Sequence, residues 1–199
     1  DLDGTLVNSL DFVEQSWAAW SHKKGLKVDE VRHYLHGKTA MNTLRHFLHT
    51  ANEAELKAEF LLLEDYEANN VAGIAAVTGA VAFLQQLDDL RVPWGIVTSG
   101  SFKVASARIR EAGFPTPSVL VTSEDILVGK PHPEPFLLGA QRLGLPAEHC
   151  LAFEDSHAGL TAAREAGCVV VEVLTPQSER HDIKPYHTLT HYQDLAVSR

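Results

Sequence analysis

Four short runs rich in β-branched residues alternate with alanine-rich amphipathic segments through the second half of the chain. The runs are WGIVTS at 94–99, SVLVT at 118–122, CLAF at 150–153 and CVVVEVL at 168–174. They are apolar almost throughout, the pattern of parallel strands covered on both faces rather than of strands with one wet face. The segments between them, 101–113, 133–144 and 156–167, carry helical spacing. Each closes on a glycine, the usual C-terminal stop, and two open on a serine placed to cap the free backbone N–H groups. Strand–helix–strand–helix order with short turns predicts an α/β fold built on a doubly wound parallel sheet.

Residues 10–72 have another texture. WAAW, VRHYL, TLRHFL and AELKAEFLLLEDYE place apolar residues three and four apart, with no strand-like alternation. They read as a helical module inserted into the sheet protein, with 73–79 as the return hinge and 80–90 as a helix leading back. The tail PYHTLTHYQDLAV is expected to add one edge strand and a short helical turn.

Composition narrows the function classes. The 199 residues are 45% hydrophobic and 22% charged, enough for one well-cored domain with a smaller module. A net charge of -9, with 17 Lys and Arg that form no block, argues against a nucleic-acid partner. The longest apolar stretch, 71–84, is too short for a membrane span, so no membrane partner is expected. The balance is compatible with a cytoplasmic metabolic enzyme. Cys150 and Cys168 each open an apolar run and read as buried, reduced thiols in strands.

In a doubly wound sheet a ligand sits beyond the C-terminal ends of the strands. Those ends carry Asp1 and Asp3 in DLDGT, Thr98 and Ser99 in VTSGS, Lys130 in GKPHPEP, and Glu154 and Asp155 in FEDSHAG. So many carboxylates in one crevice are unfavourable without a cation. Oxygen donors without His or Cys favour a hard ion, Mg²⁺. With a metal and a lysine at hand, the chemistry suits a phosphate ester. Asp1 would attack phosphorus to give an aspartyl phosphate; Asp3 would protonate the leaving oxygen and then deprotonate water. Gly4 permits a sharp turn of backbone amides toward the phosphoryl oxygens, Thr98 or Ser99 would donate to another oxygen, and Lys130 would balance developing charge.

The four motifs, in this order and with a helical insert after the first, closely resemble the haloacid dehalogenase-like hydrolase superfamily over almost the whole chain. Within it the chain is similar to the sugar phosphatases, the glycerol-3-phosphatase and 2-deoxyglucose-6-phosphatase group, and more distantly to β-phosphoglucomutase. The resemblance implies a Rossmann-like core, 1–9 with 73–199, under a helical cap, 10–72. It also implies Mg²⁺ held by Asp1, the backbone carbonyl of Asp3 and Asp155, with Glu154 nearby. The family precedes its DxDGT motif with an apolar strand, so the chain is expected to lack its natural N-terminus.

Mg²⁺-dependent hydrolysis of a small phosphorylated metabolite, a sugar or polyol monophosphate, is the activity these features imply. A phosphomutase of the β-phosphoglucomutase kind shares the same core residues. In the cap, HGKTAMNTLRHF reads either as a substrate-reading loop, with His36, Gly37, Lys38 and Arg45 as candidates, or as a solvent-facing turn and helix. The pairs His33/His36 and His46/His49 lack a third metal ligand and read as a solvated helix face. Trp17, Trp20 and Phe47 read as cap core.

Overall fold

In the computed structural model, which describes residues 1–174 and 182–198, the apolar runs become short parallel strands. The elements in chain order are β1 (Val7–Asn8), α1 (Leu10–Lys24), α2 (Val28–Leu35), α3 (Ala40–Phe47), α4 (Glu53–Asn69), β2 (Ala75–Ala76) and α5 (Ala80–Asp89). Next come β3 (Gly95–Val97), α6 (Phe102–Glu111), β4 (Val119–Val121), α7 (Glu134–Leu143), β5 (Leu151–Glu154), α8 (His157–Glu165), β6 (Val169–Val173) and β7 (His187–Leu189). β3 pairs in parallel with β4, and β5, β6 and β7 form a second, wholly parallel set. The expected edge strand of the tail is β7; residues 190–198 beyond it form bends and turns rather than a helix.

The helices stop and start where the sequence marks them. Ser101 and Ser156 accept hydrogen bonds from Val104 N and Gly159 N, capping α6 and α8. Asn52 and Glu55 form a reciprocal capping box at the start of α4. Gly144 ends α7 in the left-handed conformation.

The helices α1 to α4 close around their own core of Trp17, Trp20, Val31, Leu35, Leu44, Leu56 and Leu63. This insert leaves and rejoins the sheet region through β1 and β2, which pair antiparallel with Val7 opposite Ala76. Phe47 packs against the same core, as expected. Two histidines of the insert are engaged locally: His33 Nδ1 lies 2.7 Å from Asp29 O, and His46 stacks on Tyr34 at 3.9 Å.

The reading of the cysteines needs correction. Both are free thiols, but each precedes its strand rather than lying in it, and both are only half-buried. Burial still pushes the Cys168 thiol up to about 11.

The strand ladder is interrupted between β3 and β5. Each of these strands pairs on one side only, and no hydrogen-bonded strand joins the two sets among the described residues. A largely apolar groove of about 290 Å³ runs between them, lined by Val97, Phe136, Ala152, Phe153 and Tyr192 among others. Asp1 stands at one end of it, and its amino group donates to Phe153 O at 2.9 Å. No helix among the described residues is long and apolar enough to cross a membrane.

Candidate active site

The C-terminal ends of β3 and β5, the DLDGT turn and the loop before α7 converge on one crevice. Lys130 is its electrostatic centre. The side chain is 1% exposed and its Nζ donates to Asp1 Oδ1 at 2.8 Å, to Glu154 Oε1 at 2.5 Å and to Val97 O at 3.1 Å. All three ammonium protons are therefore committed, and the lysine is held as a fixed point charge beside Asp1.

Glu154 is fully buried. Its Oε1 takes Lys130, while its Oε2 accepts from Asp155 N, Ser156 N and Ser156 Oγ at 3.0, 3.1 and 3.2 Å. Burial alone would raise its pKa, but Lys130 and the backbone donors outweigh that and hold it below the usual carboxylate range. The backbone comes close enough for this because residue 159 is glycine: a Cβ there would stand 1.8 Å from Glu154 Oε1.

Asp155 lies beside it, with Oδ1 accepting from Thr5 Oγ1 at 2.8 Å. Burial, and then the neighbouring Glu154 charge, push its carboxyl up to about 7. Gly4, at φ +79°, makes the close turn over this group possible; a Cβ on it would lie 2.1 Å from Asp155 Oδ2.

One carboxylate oxygen from each of Asp1, Glu154 and Asp155 falls in a cluster whose members all lie within 4.8 Å of one another. The raised Asp155 carboxyl reflects its burial first and the Glu154 charge second, and an all-oxygen donor set of this kind fits a hard divalent cation. Glu154 has both oxygens engaged by Lys130, the backbone and Ser156, and Asp1 likewise accepts from Lys130 through Oδ1 and from Thr5 Oγ1 through Oδ2 at 3.2 Å.

Asp3 points elsewhere. Its Oδ1 accepts from Ser9 Oγ at 2.5 Å and from Arg108 Nη1 at 2.6 Å. Thr98 Oγ1 accepts from Gly100 N at 3.0 Å, whereas Ser99 donates its hydroxyl to Gly37 O across the insert at 2.8 Å. A cavity of about 110 Å³ lies between these residues and the insert, lined on the core side by Asp1, Asp3, Thr98, Ser99 and Asp155 among others. Leu10, Trp17, Leu35, His36, Gly37, Lys38 and Glu67 are among the residues that line it from the insert.

Three of the four insert candidates thus reach the cavity. His36 Nε2 stands 3.1 Å from Glu14 Oε1, and Lys38 donates to Tyr34 O while lying 3.8 Å over the Tyr34 ring. Arg45 is not brought there. It sits on the outer side of α3, paired with Glu53 at 3.0 Å and half exposed.

Among the residues that sequence reasoning passed over, the charged Glu67 and Arg108 reach the cavity. Arg108 was readable in principle. In VASARIR it falls four residues after Val104 and one before Ile109, on the buried stripe of α6, where a charge has to have a partner.

Similarity to known proteins agrees with this geometry. The family described as haloacid dehalogenase-like hydrolase matches residues 1–167. The chain belongs to that family. It is an enzyme of the hydrolase class, and its α/β core with inserted helical cap is the fold its motifs imply.

Hexitol phosphatase A of Escherichia coli strain K12 is 48% identical over 176 residues, covering 88% of this chain and 82% of that protein. Glycerol-1-phosphate phosphohydrolase 1 of Saccharomyces cerevisiae is 29% identical, over 88% of this chain and 73% of its own. These relatives agree with the phosphoric monoester hydrolase expected from the motifs. The crystal structure of β-phosphoglucomutase from Clostridium difficile superposes with a TM-score of 0.80 at 22% identity, over 88% of this chain and 82% of that one. At that identity the likeness speaks for the fold.

Proposed function

We propose that this hydrolase is a Mg²⁺-dependent phosphatase of small sugar or polyol monophosphates, acting through an aspartyl phosphate on Asp1. The observation that carries the reading is the pairing of the Asp1 carboxylate, which lines the cavity between core and cap, with a buried, fully committed Lys130 at 2.8 Å. Similarity to a hexitol phosphatase and a glycerol phosphate phosphohydrolase favours open-chain polyol phosphates as the first substrates to try.

In this reading residues 10–72 serve as the cap, and 1–9 with the chain from 73 onward as the catalytic core. Asp1, Asp155 and the backbone carbonyl of Asp3 would hold Mg²⁺, with Glu154 as the anchor of Lys130. The ion, when bound, balances the charge of the carboxylates and of the phosphoryl group.

Asp1 forms the new O–P bond as the ester P–O bond breaks, and the proton of Asp3 goes to the departing oxygen. Water then attacks phosphorus, the Asp1 O–P bond breaks, and the water proton returns to Asp3. Lys130 stabilises the negative charge that builds on the phosphoryl oxygens next to Asp1. Thr98 is the better phosphate donor of the two hydroxyls, because its O–H remains undonated among the described residues whereas Ser99 spends its own on Gly37. His36 and Lys38 face the substrate from the cap, and Gly37 brings the cap backbone against Ser99.

The test is phosphate release from a panel of hexitol, glycerol, hexose, pentose and 2-deoxyglucose phosphates, with Mg²⁺ and with chelator. Mg²⁺-dependent release that disappears in Asp1→Asn is expected. Isomerised sugar phosphate in place of free phosphate would point instead to a mutase, and no product from any member would overturn the reading.

A further inference from the structure

Among the described residues Arg108 is the one guanidinium at the cavity, and it is 2% exposed. From the core helix α6 it donates through Nη1 to Asp3 Oδ1 at 2.6 Å and through Nη2 to Glu67 Oε2 at 2.7 Å. Glu67 belongs to the cap helix α4, and its other oxygen accepts from Ser16 Oγ of α1 at 3.0 Å. One side chain therefore ties the DLDGT turn, the core helix and two cap helices together. Arg108 Nε is buried and has no hydrogen-bond partner among the described residues. This network sets a buried guanidinium directly against the carboxyl read as acid and base, and removing Arg108 alone would leave Asp3 and Glu67 without their shared cation.

We propose that Arg108 is a positioning residue that aims the Asp3 carboxyl at the departing oxygen, and that Glu67 makes this aim depend on closure of the cap. The inference rests on the reading of Asp3 as acid and base. Ser9 and Arg108 both hold Oδ1, so the carboxyl cannot spin about its last bond. Its Oδ2 is left on the side of the Thr98–Gly100 turn, 3.9 Å from where a Cβ on Gly100 would stand. Glu67 balances the guanidinium charge, so the pair orients Asp3 without adding net charge beside it. When the cap lifts, α4 carries Glu67 away. Arg108 then loses the partner that holds its second nitrogen, and the acid is no longer aimed while water has access. Lys103 and Asp65 form a second, exposed ion pair between the same two helices.

The experiment separates aiming from folding by choice of leaving group. An alkyl phosphate, glycerol or hexitol, needs its oxygen protonated as it leaves; p-nitrophenyl phosphate does not. Arg108→Met and the isosteric Glu67→Gln are each compared with wild type on both esters, with unfolding followed by circular dichroism. On the alkyl ester a fall in kcat of on the order of 10²-fold is expected, with p-nitrophenyl phosphate changed less than about threefold and KM for both nearly constant. Equal falls on the two esters, or no fall on either, would overturn the proposal while wild-type activity and its loss in Asp1→Asn still stood. Should Arg108→Met not fold, Glu67→Gln carries the same comparison. Failure of the wild type on every ester would instead sink the phosphatase reading itself.

Discussion

Gly159→Ala sets two effects against each other, and their magnitudes decide between them. In the first turn of α8 an alanine should be favoured over glycine by at most about 1 kcal/mol. Its methyl group, however, would stand 1.8 Å from Glu154 Oε1, 1.9 Å from the carboxyl carbon and 2.2 Å from Oε2. Glu154 is fully buried and has no other place to go; it is fixed by Lys130, by two backbone amides and by the Ser156 hydroxyl. Relieving the overlap means turning the carboxylate off Lys130, and breaking a buried ion pair costs about 3–5 kcal/mol. The net expectation is a loss of about 2–4 kcal/mol after the helix gain is allowed for. Urea unfolding followed by circular dichroism measures this loss. Phosphate release should fall with it, because Lys130 loses the anchor that keeps it beside Asp1. A variant as stable as wild type, or more stable, with unchanged turnover would refute the claim that Glu154 is locked.

Three further outcomes are expected from the same geometry. Asp155 has a carboxyl raised to about 7, so below that pH a cation must expel its proton to bind. Mg²⁺ affinity by calorimetry should weaken about tenfold per pH unit below roughly 7 and level off above it. The metal-free fold should show the opposite trend: a raised carboxyl gives stability below its unfolded pKa of 3.8 that is lost as pH rises through about 7. An affinity flat across this window would contradict the burial of Asp155. Lys130→Met leaves Asp1 and Glu154 without their shared cation, and should cost about 3–5 kcal/mol in thermal or urea unfolding as well as abolish turnover; wild-type stability would show that Lys130 is not a structural charge.

The parallel strands and their helices were legible because strands covered on both faces are apolar at every position, and serine and glycine mark the helix ends. β1 and β2 were not, since two residues each are too few for any period to show. The core polar residues were legible because they stand at strand ends, where the fold itself says a ligand belongs. The division of labour among them was not. That Glu154 serves Lys130, and that Thr98 rather than Ser99 keeps its hydroxyl proton undonated among the described residues, depends on hydrogen bonds between residues far apart in sequence. Arg45 drew attention through its loop, yet its helix turns it toward Glu53 and away from the cavity. Glu67 and Arg108 escaped notice because charges on amphipathic helices usually face water, and only the packing of α4 on α6 makes partners of them.

The central claim is that Asp1 becomes phosphorylated during turnover. Borohydride quenching of the enzyme during turnover of hexitol phosphate with Mg²⁺, followed by peptide mass spectrometry, tests it most directly, because reduction of an acyl phosphate leaves homoserine in place of aspartate. The account predicts homoserine at position 1, absent without substrate. Phosphate release with Asp1 unreduced, or reduction at Asp3 or Asp155 instead, would contradict it.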